Sequence, residues 1–436
     1  MRDQRRRFRP FDSEGLPSLE EALRRWRGAL VLAQPPQEQV DVWNCCGRVL
    51  ACDVVAQEDV PGFARSLVDG VALRSRDTAG ASAAAPVALS LVGRVRMGQP
   101  PAFRLEAGQA ALVPTGGMLP PGCDAVVMVE EFPELLEGAG LTGGTATEPV
   151  TLRLQRVVRP GENVSPRGAD VQRGQLVLKA GHRLRAQDAG ILAGLGHLMV
   201  PVYRQPEVAI LSTGWEVVSP HRVPGPGQIR DMNGVAVASL VARTGARPRF
   251  LGVAGDDREQ LRALLEDGLR SDMVILSGGS SVGEDDWAAR VVAELGEPGI
   301  IIHGVRMAPG KPTLCALIGS KPVVGLPGNP VSALMVFDLF ARPALQAVSG
   351  QREAASWRPS VRARLQQEVK GPTGRPLFLR VALVPGEDGG FWARPVPGGS
   401  SQLMTMVQAD GVVLIPADGR LEAGTWVDVY PWSWPD

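Results

Sequence analysis

Lysine is scarce in this chain of 436 residues: only four of its 46 basic side chains are lysines, and arginine supplies the rest. The 46 basic residues balance 46 acidic ones, which gives a formal net charge of zero. A neutral chain lacks the positive field that draws proteins to nucleic acids and anionic membranes. We therefore expect neither nucleic acid nor a membrane as a main partner.

Cysteine and histidine are also few, with five and four residues respectively. The cysteines form no CxxC pair and their number is odd, which argues against a disulfide framework and a cysteine zinc site. The histidines lack the spacing of metal ligands. The basic N-terminal stretch MRDQRRRFRP precedes no apolar segment, unlike a secretory signal. No run approaches the ~18 apolar residues that span a bilayer, so we expect a cytoplasmic protein.

The length exceeds what one hydrophobic core usually covers, so about two to four domains are expected. Residues 18–35 have the pattern of a Ser-capped helix. Residues 50–155 are rich in Val, Gly and Pro in short alternating runs, typical of a mostly β module. A helix is predicted near 186–195. Residues 355–436 return to short strands, which predicts a small C-terminal barrel or sandwich.

From about residue 204, predicted strands alternate with amphipathic helices. Strands at 208–213, 249–255 and 273–278 are separated by helices at 234–245 and 258–270. This alternation favours a doubly wound, mainly parallel α/β sheet. Ligands of such sheets bind beyond the carboxyl ends of the strands.

Glycine-rich loops follow three of the predicted α/β strands, at 212–216 (STGWE), 277–286 (SGGSSVGEDD) and 325–330 (GLPGNP). Glycines let backbone N–H groups approach a phosphate closely, and the third loop opens a helix whose first N–H groups lack helical partners. The predicted sheet puts all three loops on one rim. We interpret that rim as an anion site.

Charged residues near these loops refine the interpretation. Lys311 lies in the elbow PGKP, and a lysine in a chain that otherwise uses arginine suggests selection for a compact charge. A surface lysine beside a structural turn is the alternative. The second loop ends in Glu284, Asp285 and Asp286, whose carboxylates suit a phosphate neighbour if Mg²⁺ bridges them. Alternatively, they only stabilise a helix N-terminus through its dipole.

Further motifs lie outside the α/β pattern, SLVDG at 66–70 and PTGG at 114–117. Asp69 and Thr115 each precede a glycine there, so both could be plain turn residues. Near the C-terminus, Arg380 lies in a strand pattern, where it could point to solvent, and Ser400 follows two glycines.

Seven motifs in order resemble those of the molybdopterin molybdotransferases, which insert molybdenum into the pterin cofactor and include the C-terminal part of gephyrin. They are SLVDGVA (66–72), PTGG with PPGCDAVVMVEE (114–131), GENVSPRGADVQRGQ (161–175), STGWE (212–216), GQIRDMN (227–233), GGSSVGEDD (278–286) and PGKP with GLPGNPVSA (309–333). The likeness runs from about residue 18 to the C-terminus.

The resemblance implies a central doubly wound, mainly parallel α/β domain of the molybdopterin-binding type, a β-rich inserted domain and a C-terminal β-barrel. The expected domains are a discontinuous linking domain at 16–50 and 158–203, the inserted domain at 51–157, the α/β domain at 204–350 and the barrel at 355–436. The resemblance also implies an elongated homodimer with a site between domains of both subunits.

The implied reaction transfers molybdenum from molybdate into adenylylated molybdopterin, with Mg²⁺-dependent release of AMP. By motif position, the catalytic candidates are Asp69, Thr115, Glu216, Asp256, Asp286, Lys311 and Arg380. The substrate-binding candidates are Thr213, Gly214, Gly278, Gly279, Ser281, Pro327, Gly328, Asn329, Ser332, Arg306 and Ser400.

The resemblance assigns roles within this set. Glu216 and Asp286 are the expected Mg²⁺ ligands. Lys311, Arg380 and Ser400 are expected to hold molybdate or phosphate, and Asp69 with Thr115 to complete the site from the partner subunit. Molybdopterin adenylyltransferase and cofactor-accepting enzymes are the further partners it suggests.

The chain departs from the family pattern at four positions. Val71 stands where Tyr or Phe is usual, and Trp215 where an acidic residue is usual. Gly304 and Ala308 stand where lysines are usual. A cation near a dianion contributes on the order of 1–3 kcal/mol as a charge-assisted contact, so this loss lowers the expected catalytic efficiency. Arg306, two residues from both positions, is a candidate to compensate.

Three other functions compete with this interpretation. A catalytically weak paralogue that binds molybdopterin as a scaffold or carrier is the main alternative, motivated by the missing lysines. The related molybdopterin adenylyltransferase is disfavoured by the β modules at both ends and by the acidic end of the second loop. A general nucleotide-binding α/β enzyme leaves the motifs at 66–72 and 114–131 unexplained.

Overall fold

The computed structural model describes residues 15–136, 150–255, 257–278, 287–352 and 359–432. These residues form two compact units. The larger unit contains the residues up to Cys52, Ala180–Arg185 and those from Met199 onward, and the smaller unit contains Asp53–Lys179 and Ala186–Leu198. The candidates Asp256, Gly279, Ser281 and Asp286 lie outside the described residues, as do Glu284 and Asp285.

Helices of both units are short. In the described residues they are α1 (Leu19–Ala29), α2 (Pro133–Leu136), α3 (Ala186–Gly194), α4 (Asn233–Arg243), α5 (Arg258–Gly268), α6 (Trp287–Glu294), α7 (Pro330–Val336), α8 (Arg342–Val348) and α9 (Met404–Gln408), with a π-helical segment at Phe337–Ala341 and 3₁₀ turns at Val42–Asn44, Ser75–Thr78 and Val129–Glu131.

Strands make up most of the remaining regular structure. In the described residues they are β1 (Gln37–Asp41), β2 (Val54–Val55), β3 (Arg65–Ser66), β4 (Gly70–Leu73), β5 (Val87–Arg94), β6 (Gln109–Val113), β7 (Ala125–Met128), β8 (Thr151–Leu154), β9 (Val164–Ser165), β10 (Leu176–Leu178), β11 (Met199–Tyr203), β12 (Glu207–Thr213), β13 (Val217–Val218), β14 (Ile229–Arg230), β15 (Arg247–Ala254), β16 (Met273–Ser277), β17 (Pro298–His303), β18 (Leu314–Ile318), β19 (Lys321–Leu326), β20 (Val361–Leu365), β21 (Val369–Lys370), β22 (Leu377–Pro385), β23 (Phe391–Pro395), β24 (Gly411–Ile415), β25 (Arg420–Leu421) and β26 (Trp426–Pro431).

A six-stranded sheet in the order β15-β12-β16-β19-β18-β17 forms the centre of the larger unit. The first four strands are parallel, and β18 and β17 continue the sheet in antiparallel fashion. The central strand β16 is buried along its whole length, as expected for a parallel strand covered on both faces. The predicted doubly wound, mainly parallel sheet is confirmed.

Two hydrophobic clusters cover the two faces of this sheet. One joins α1, α4 and the π-helical segment through residues such as Trp26, Val237 and Phe340. The other joins α5 and α6 through residues such as Leu265 and Val292. The result is a three-layer α/β/α arrangement, which leaves the carboxyl ends of the strands to the connecting loops.

Helix α1 begins where the sequence predicts and ends earlier. The Ser18 hydroxyl accepts the N–H of Glu21 at 3.2 Å, a typical N-terminal cap. The helix stops at Ala29 instead of continuing to residue 35. The predicted end was therefore wrong: the helix closes at Leu30, whose N–H lies on the carbonyls of Trp26 and Arg27, whereas the proline at 35 disfavours helical backbone only at residue 34.

The smaller unit contains a five-stranded sheet in the order β7-β4-β6-β5-β8. Apolar side chains cover both of its faces, including Val71, Leu89 and Phe132 on one and Ala72, Val95 and Leu105 on the other. The C-terminal residues of the larger unit form a closed barrel of β20, β23, β22, β24 and β26, which confirms the predicted barrel. The four-domain boundaries stay a prediction.

One helical stretch of the described residues, Pro330–Val348, is long and apolar enough to cross a membrane by length and composition. Of its most apolar window, 61% is buried inside the protein. A core helix meets the same test, so this stretch is weak evidence for a membrane span.

Candidate functional site

The three glycine-rich loops start at the same level of the sheet, as the sequence predicts. Ser212 at the end of β12 pairs with Ser277 at the end of β16, and Ser277 pairs with Leu326 at the end of β19. The loops therefore leave the sheet side by side at the carboxyl edge, where ligands of open α/β sheets bind.

Glycine is required at position 278, where the base of the second loop touches the first. Gly278 has a φ of +89° and donates its N–H to the carbonyl of Leu326 at 3.0 Å. A Cβ at Gly278 would lie 2.6 Å from the carbonyl oxygen of Thr213, and one at Gly328 would lie 3.9 Å from the Cα of Gly278. The first residues of the loops thus pack backbone against backbone, with no room for a side chain at position 278.

Thr213 brings a buried hydroxyl to this junction. The residue is 5% exposed, and its Oγ1 has no hydrogen-bond partner in the described part of the chain. Buried hydroxyls are normally paired, because an unpaired one costs about 1–3 kcal/mol. The Thr213 hydroxyl is therefore a donor that a bound oxygen atom would satisfy.

Glu216 lies in the same loop, with its exposed side chain folded back toward Gly214. Gly214 has a φ of +135°, and a Cβ there would lie 2.7 Å from Oε2 of Glu216. No cluster of three His, Cys, Asp or Glu side chains suited to a metal occurs within the described ranges. Mg²⁺ commonly uses only one or two carboxylates together with phosphates and water, so Glu216 suits one such position.

Two residues of the motif GQIRDMN, to which the sequence analysis gave no role, contact the loop bases. The Asp231 carboxylate accepts the Ser212 hydroxyl at 2.7 Å and the N–H of Gly234 at 2.8 Å. The Asn233 Nδ2 donates to Oγ of Ser277 at 2.9 Å and to the carbonyl of Gly328 at 2.8 Å. An Asp and an Asn directly before a helix were the available signal.

The third loop is joined to the C-terminal barrel. The Asn329 Nδ2 donates to Oγ of Ser400 at 3.1 Å, and the N–H of Val331 donates to the carbonyl of Ser400 at 3.0 Å. Pro327 and Ser332 are buried on either side of the exposed Asn329. The structure thus brings the predicted residues Asn329 and Ser400 together, although they are far apart in sequence.

Arg380 is buried on the outer face of barrel strand β22, against the segment that contains Gly398 and Ser400. It is 9% exposed, its guanidinium donates to the carbonyl of Gly398, and its Nε has no partner in the described residues. Burial lowers the pKa of Arg380 from its usual value. The alternative in which Arg380 points to solvent is therefore wrong.

Lys311 lies in a tight elbow, as predicted. Gly310 has a φ of +113°, and a Cβ there would lie 2.2 Å from Cε of Met307. The carbonyl of Lys311 accepts the N–H groups of Val305 at 2.9 Å and Thr313 at 3.0 Å. These backbone contacts fix the elbow that presents Lys311.

The positions that lack the family's lysines have unlike environments. Gly304 is buried with a φ of +83°, a region that L side chains rarely adopt. Ala308 is bound through its backbone to the barrel, with N–H to the carbonyl of Pro376 at 2.9 Å. Arg306 is exposed and lies outside the strands, with its N–H on the carbonyl of Pro17 at 3.0 Å. Because Arg306 lies outside a regular strand, its distance of two residues from Gly304 and Ala308 does not by itself place it on their face.

The other two departures differ in exposure. Val71 is fully buried in the sheet of the smaller unit. Trp215 is 69% exposed and lies against Gly255, where a Cβ would be 2.9 Å from the indole Cζ3. The Trp215 ring therefore covers the end of β15, next to the loop that carries Glu216.

In the smaller unit, the two motifs from the first half of the chain form one site. Oδ1 of Asp69 accepts the N–H of Thr115 at 2.7 Å. Ser66 exchanges two backbone hydrogen bonds with the second motif, one from Gly116 at 2.8 Å and one to Gly117 at 3.0 Å. Both Asp69 and Thr115 remain exposed, so the predicted pair presents its side chains on one surface.

Models of protein families match three parts of the chain. Residues 17–196 match the MoeA N-terminal region (domain I and II), residues 209–347 match a probable molybdopterin binding domain, and residues 362–432 match the MoeA C-terminal region (domain IV).

Curated relatives named molybdopterin molybdenumtransferase match most of the chain. The protein from Nostoc sp. is 34% identical over 392 residues, 88% of this chain and 86% of its own length. The Bacillus subtilis protein is 31% identical over 413 residues, covering 92% and 93% respectively. Molybdopterin molybdenumtransferase 2 from Mycobacterium tuberculosis is 33% identical over 390 residues, covering 88% and 92%.

Solved structures agree with these relatives. Two crystal structures of molybdopterin biosynthesis moeA proteins from Pyrococcus horikoshii have TM-scores of 0.74 and 0.75 to this chain, at 36% and 29% sequence identity. The matches cover 96% and 95% of this chain and 100% of each of theirs.

Proposed function

Because the chain belongs to the molybdopterin molybdenumtransferase family, we propose that it transfers molybdenum from molybdate into adenylylated molybdopterin, with Mg²⁺-dependent release of AMP. The chain is a transferase of molybdenum cofactor biosynthesis. The observation that carries the finer proposal is the junction of the loop bases at the buried Thr213 hydroxyl, which has no hydrogen-bond partner among the described residues.

The residues of this junction suit an anionic substrate. The Thr213 hydroxyl donates to an oxygen of the bound substrate, and the Arg380 guanidinium supplies buried positive charge for a molybdate or phosphate oxygen, together with Lys311. The bond between Asn329 and Ser400 joins the third loop to the barrel segment whose Gly398 carbonyl accepts a bond from Arg380. Glu216, with Asp286, would hold Mg²⁺, which neutralises phosphate charge and polarises the bond that releases AMP.

The proposal is tested by incubating the purified protein with adenylylated molybdopterin, molybdate and Mg²⁺, and measuring AMP and molybdenum cofactor. Glu216→Gln removes the charge of a metal ligand, so we expect AMP release to fall by about tenfold or more and to need more Mg²⁺. Glu266→Gln is a matched control, because Glu266 is an exposed partner of Arg262 on α5. Equal activity of the Glu216 variant and the wild type would contradict the metal role.

We further propose a cytoplasmic homodimer in which Asp69 and Thr115 of one subunit complete the site of the other. The exposed pairing of Asp69 with Thr115 supports this arrangement. Mixing the Asp69→Ala and Glu216→Gln proteins should restore activity through one intact site per mixed dimer. Elution as a monomer at micromolar concentration, or no restoration on mixing, would contradict the shared site. Molybdopterin adenylyltransferase and cofactor-accepting enzymes are the proposed further partners.

A second candidate function is a weak paralogue that carries molybdopterin. It is favoured by Gly304, whose backbone conformation disfavours the lysine that the family usually has there. Tight binding of adenylylated molybdopterin without AMP release would support this carrier function. Multiple turnovers by the wild-type protein would exclude it as the main activity.

A further inference from the structure

Asn233, the first residue of α4, lies between two of the three loops. Both hydrogens of its side-chain amide are used, one on Oγ of Ser277 at the end of β16 and one on the carbonyl of Gly328 after β19. These acceptors belong to different loops. One side chain therefore ties the second loop to the third.

The helix that carries Asn233 is itself fixed to a third strand. Asp231 is 4% exposed and accepts hydrogen bonds from the Ser212 hydroxyl and the N–H of Gly234. The first turn of α4 is thus bonded to the ends of β12, β16 and β19. Movement of any one loop relative to the others would break at least one of these bonds.

The glycines at the junction make this tie necessary. Gly278 and Gly328 meet without side chains, so side-chain packing does not hold the two loops there, and the backbone bond from Gly278 to Leu326 is their main-chain link. A polar tie replaces that packing, and it acts directly on the carbonyl of Gly328 next to the predicted substrate contact Asn329. Displacing reacting groups by about 1 Å can lower a rate by about 100-fold.

We propose that Asn233 is a positioning residue that fixes the second and third loops at the separation that substrate binding and AMP release require. This inference rests on the proposed function, since it concerns the same site. Asn233 acts through Ser277 and Gly328 and makes no direct contact with the reacting atoms in this proposal.

The test compares Asn233→Ala, Asn233→Asp and Ser277→Ala with the control Ser239→Ala. Ser239 lies on the same helix and its exposed hydroxyl donates only to the carbonyl of Val235 at 2.9 Å. We expect Asn233→Ala to lower kcat for AMP release by about tenfold or more, with a smaller change in KM, and the control to match the wild type. The double variant of Asn233→Ala and Ser277→Ala should be no worse than Asn233→Ala alone, because the two residues share one bond.

The pH dependence of the Asn233→Asp variant tests whether residue 233 must donate hydrogen bonds, which a purely structural role would not require. An ionised carboxylate cannot donate to the two acceptors, whereas a protonated one donates a single bond. Because an ordinary aspartate has a pKa of about 3.9, the activity of Asn233→Asp relative to the wild type should rise as the pH falls from about 6 to about 3.5, while the relative activity of Asn233→Ala stays constant. A constant ratio for both variants would overturn the inference.

Hydrogen exchange and AMP binding separate this inference from the proposed function. Faster exchange at the amides of Gly278, Leu326, Gly328 and Asn329 in Asn233→Ala, together with weaker binding of AMP, would support the tie even if the wild-type protein released no AMP. Unchanged exchange and unchanged AMP affinity would overturn it, whatever the activity of the wild type. If the wild-type protein shows no transferase activity but Asn233→Ala still changes exchange and AMP binding, only the proposed function is contradicted.

Discussion

The indole N–H of Trp26 donates to the carbonyl of Phe340 at 2.8 Å, across 314 positions of the chain. Trp26 is fully buried on α1, and Phe340 belongs to the π-helical segment between α7 and α8. The bond therefore ties the N-terminal helix to the helix that follows the third loop.

Trp26→Phe should destabilise the larger unit, because it removes a buried hydrogen bond to the Phe340 carbonyl and part of the buried indole ring. We expect a loss of about 1–3 kcal/mol in the free energy of unfolding, measured by urea denaturation. Trp43→Phe is the matched control, since Trp43 is 91% exposed and its replacement should change stability by less than about 0.5 kcal/mol. Equal effects of the two substitutions would show that the hydrogen bond contributes nothing.

Lys321 has a structural role that the scarcity of lysine makes easy to isolate. Its Nζ donates to the carbonyl of Ser271 at 2.8 Å and to that of Leu269, just beyond the end of α5. Lys321→Met should lower stability by about 1–2 kcal/mol, because two carbonyls lose a charged donor near a helix C-terminus. Lys370→Met should have little effect in the same denaturation experiment, since Lys370 is exposed. A similar loss in both variants would contradict the capping role.

Asp69 allows its hydrogen bond and its charge to be separated. An amide oxygen at this position still accepts the N–H of Thr115, so Asp69→Asn should leave the melting temperature almost unchanged. If the carboxylate contributes charge to the site, AMP release should fall by about tenfold or more. Full activity of Asp69→Asn with loss in Asp69→Ala would instead assign Asp69 to the turn alone.

The cysteines should differ widely in reactivity. Burial, together with the charge of Asp124, raises the pKa of Cys123 to about 12, and burial raises that of Cys315 well above its usual value. Both thiols are therefore protonated and unreactive at pH 8. A thiol reagent should modify the exposed Cys46 and Cys52 first and reach all five only after unfolding. Rapid modification of Cys123 in the native protein would contradict its burial.

The same pKa shift predicts a pH dependence of stability. The folded protein holds the Cys123 proton up to about pH 12, whereas an ordinary thiol loses it near pH 9. The stabilising contribution is therefore complete below about pH 9 and is lost as the pH rises from about 9 to 12. Cys123→Ser should flatten this part of the stability curve, measured by thermal melting. An unchanged slope would rule out Cys123 as its source.

Local patterns predict the sheet and the meeting of its loops, since strand and helix periods are short-range signals. Ser212 and Ser277 are paired near the carboxyl ends of adjacent parallel strands. Parallel topology alone therefore predicts that the loops after these strands start side by side. The burial of Arg380 could not be predicted in this way, because Arg380 lies on the outer face of the barrel with Phe378 and Ala382, and only the tertiary structure shows that this face is covered. The bonds of Asn233 could not be predicted either. They depend on how α4 is placed over the sheet, which is a property of the tertiary structure.

The left-handed backbone at Gly304 affects how the positive charge of this protein could be increased. A lysine introduced at 304 would have to move the main chain away from its φ of +83° before its charge could help. A lysine at 308 keeps the backbone bonds to Pro376 and Phe378, because neither uses the alanine side chain. If added positive charge raises turnover, Ala308→Lys is therefore expected to show the gain. Gly304→Lys alone is expected to lower stability.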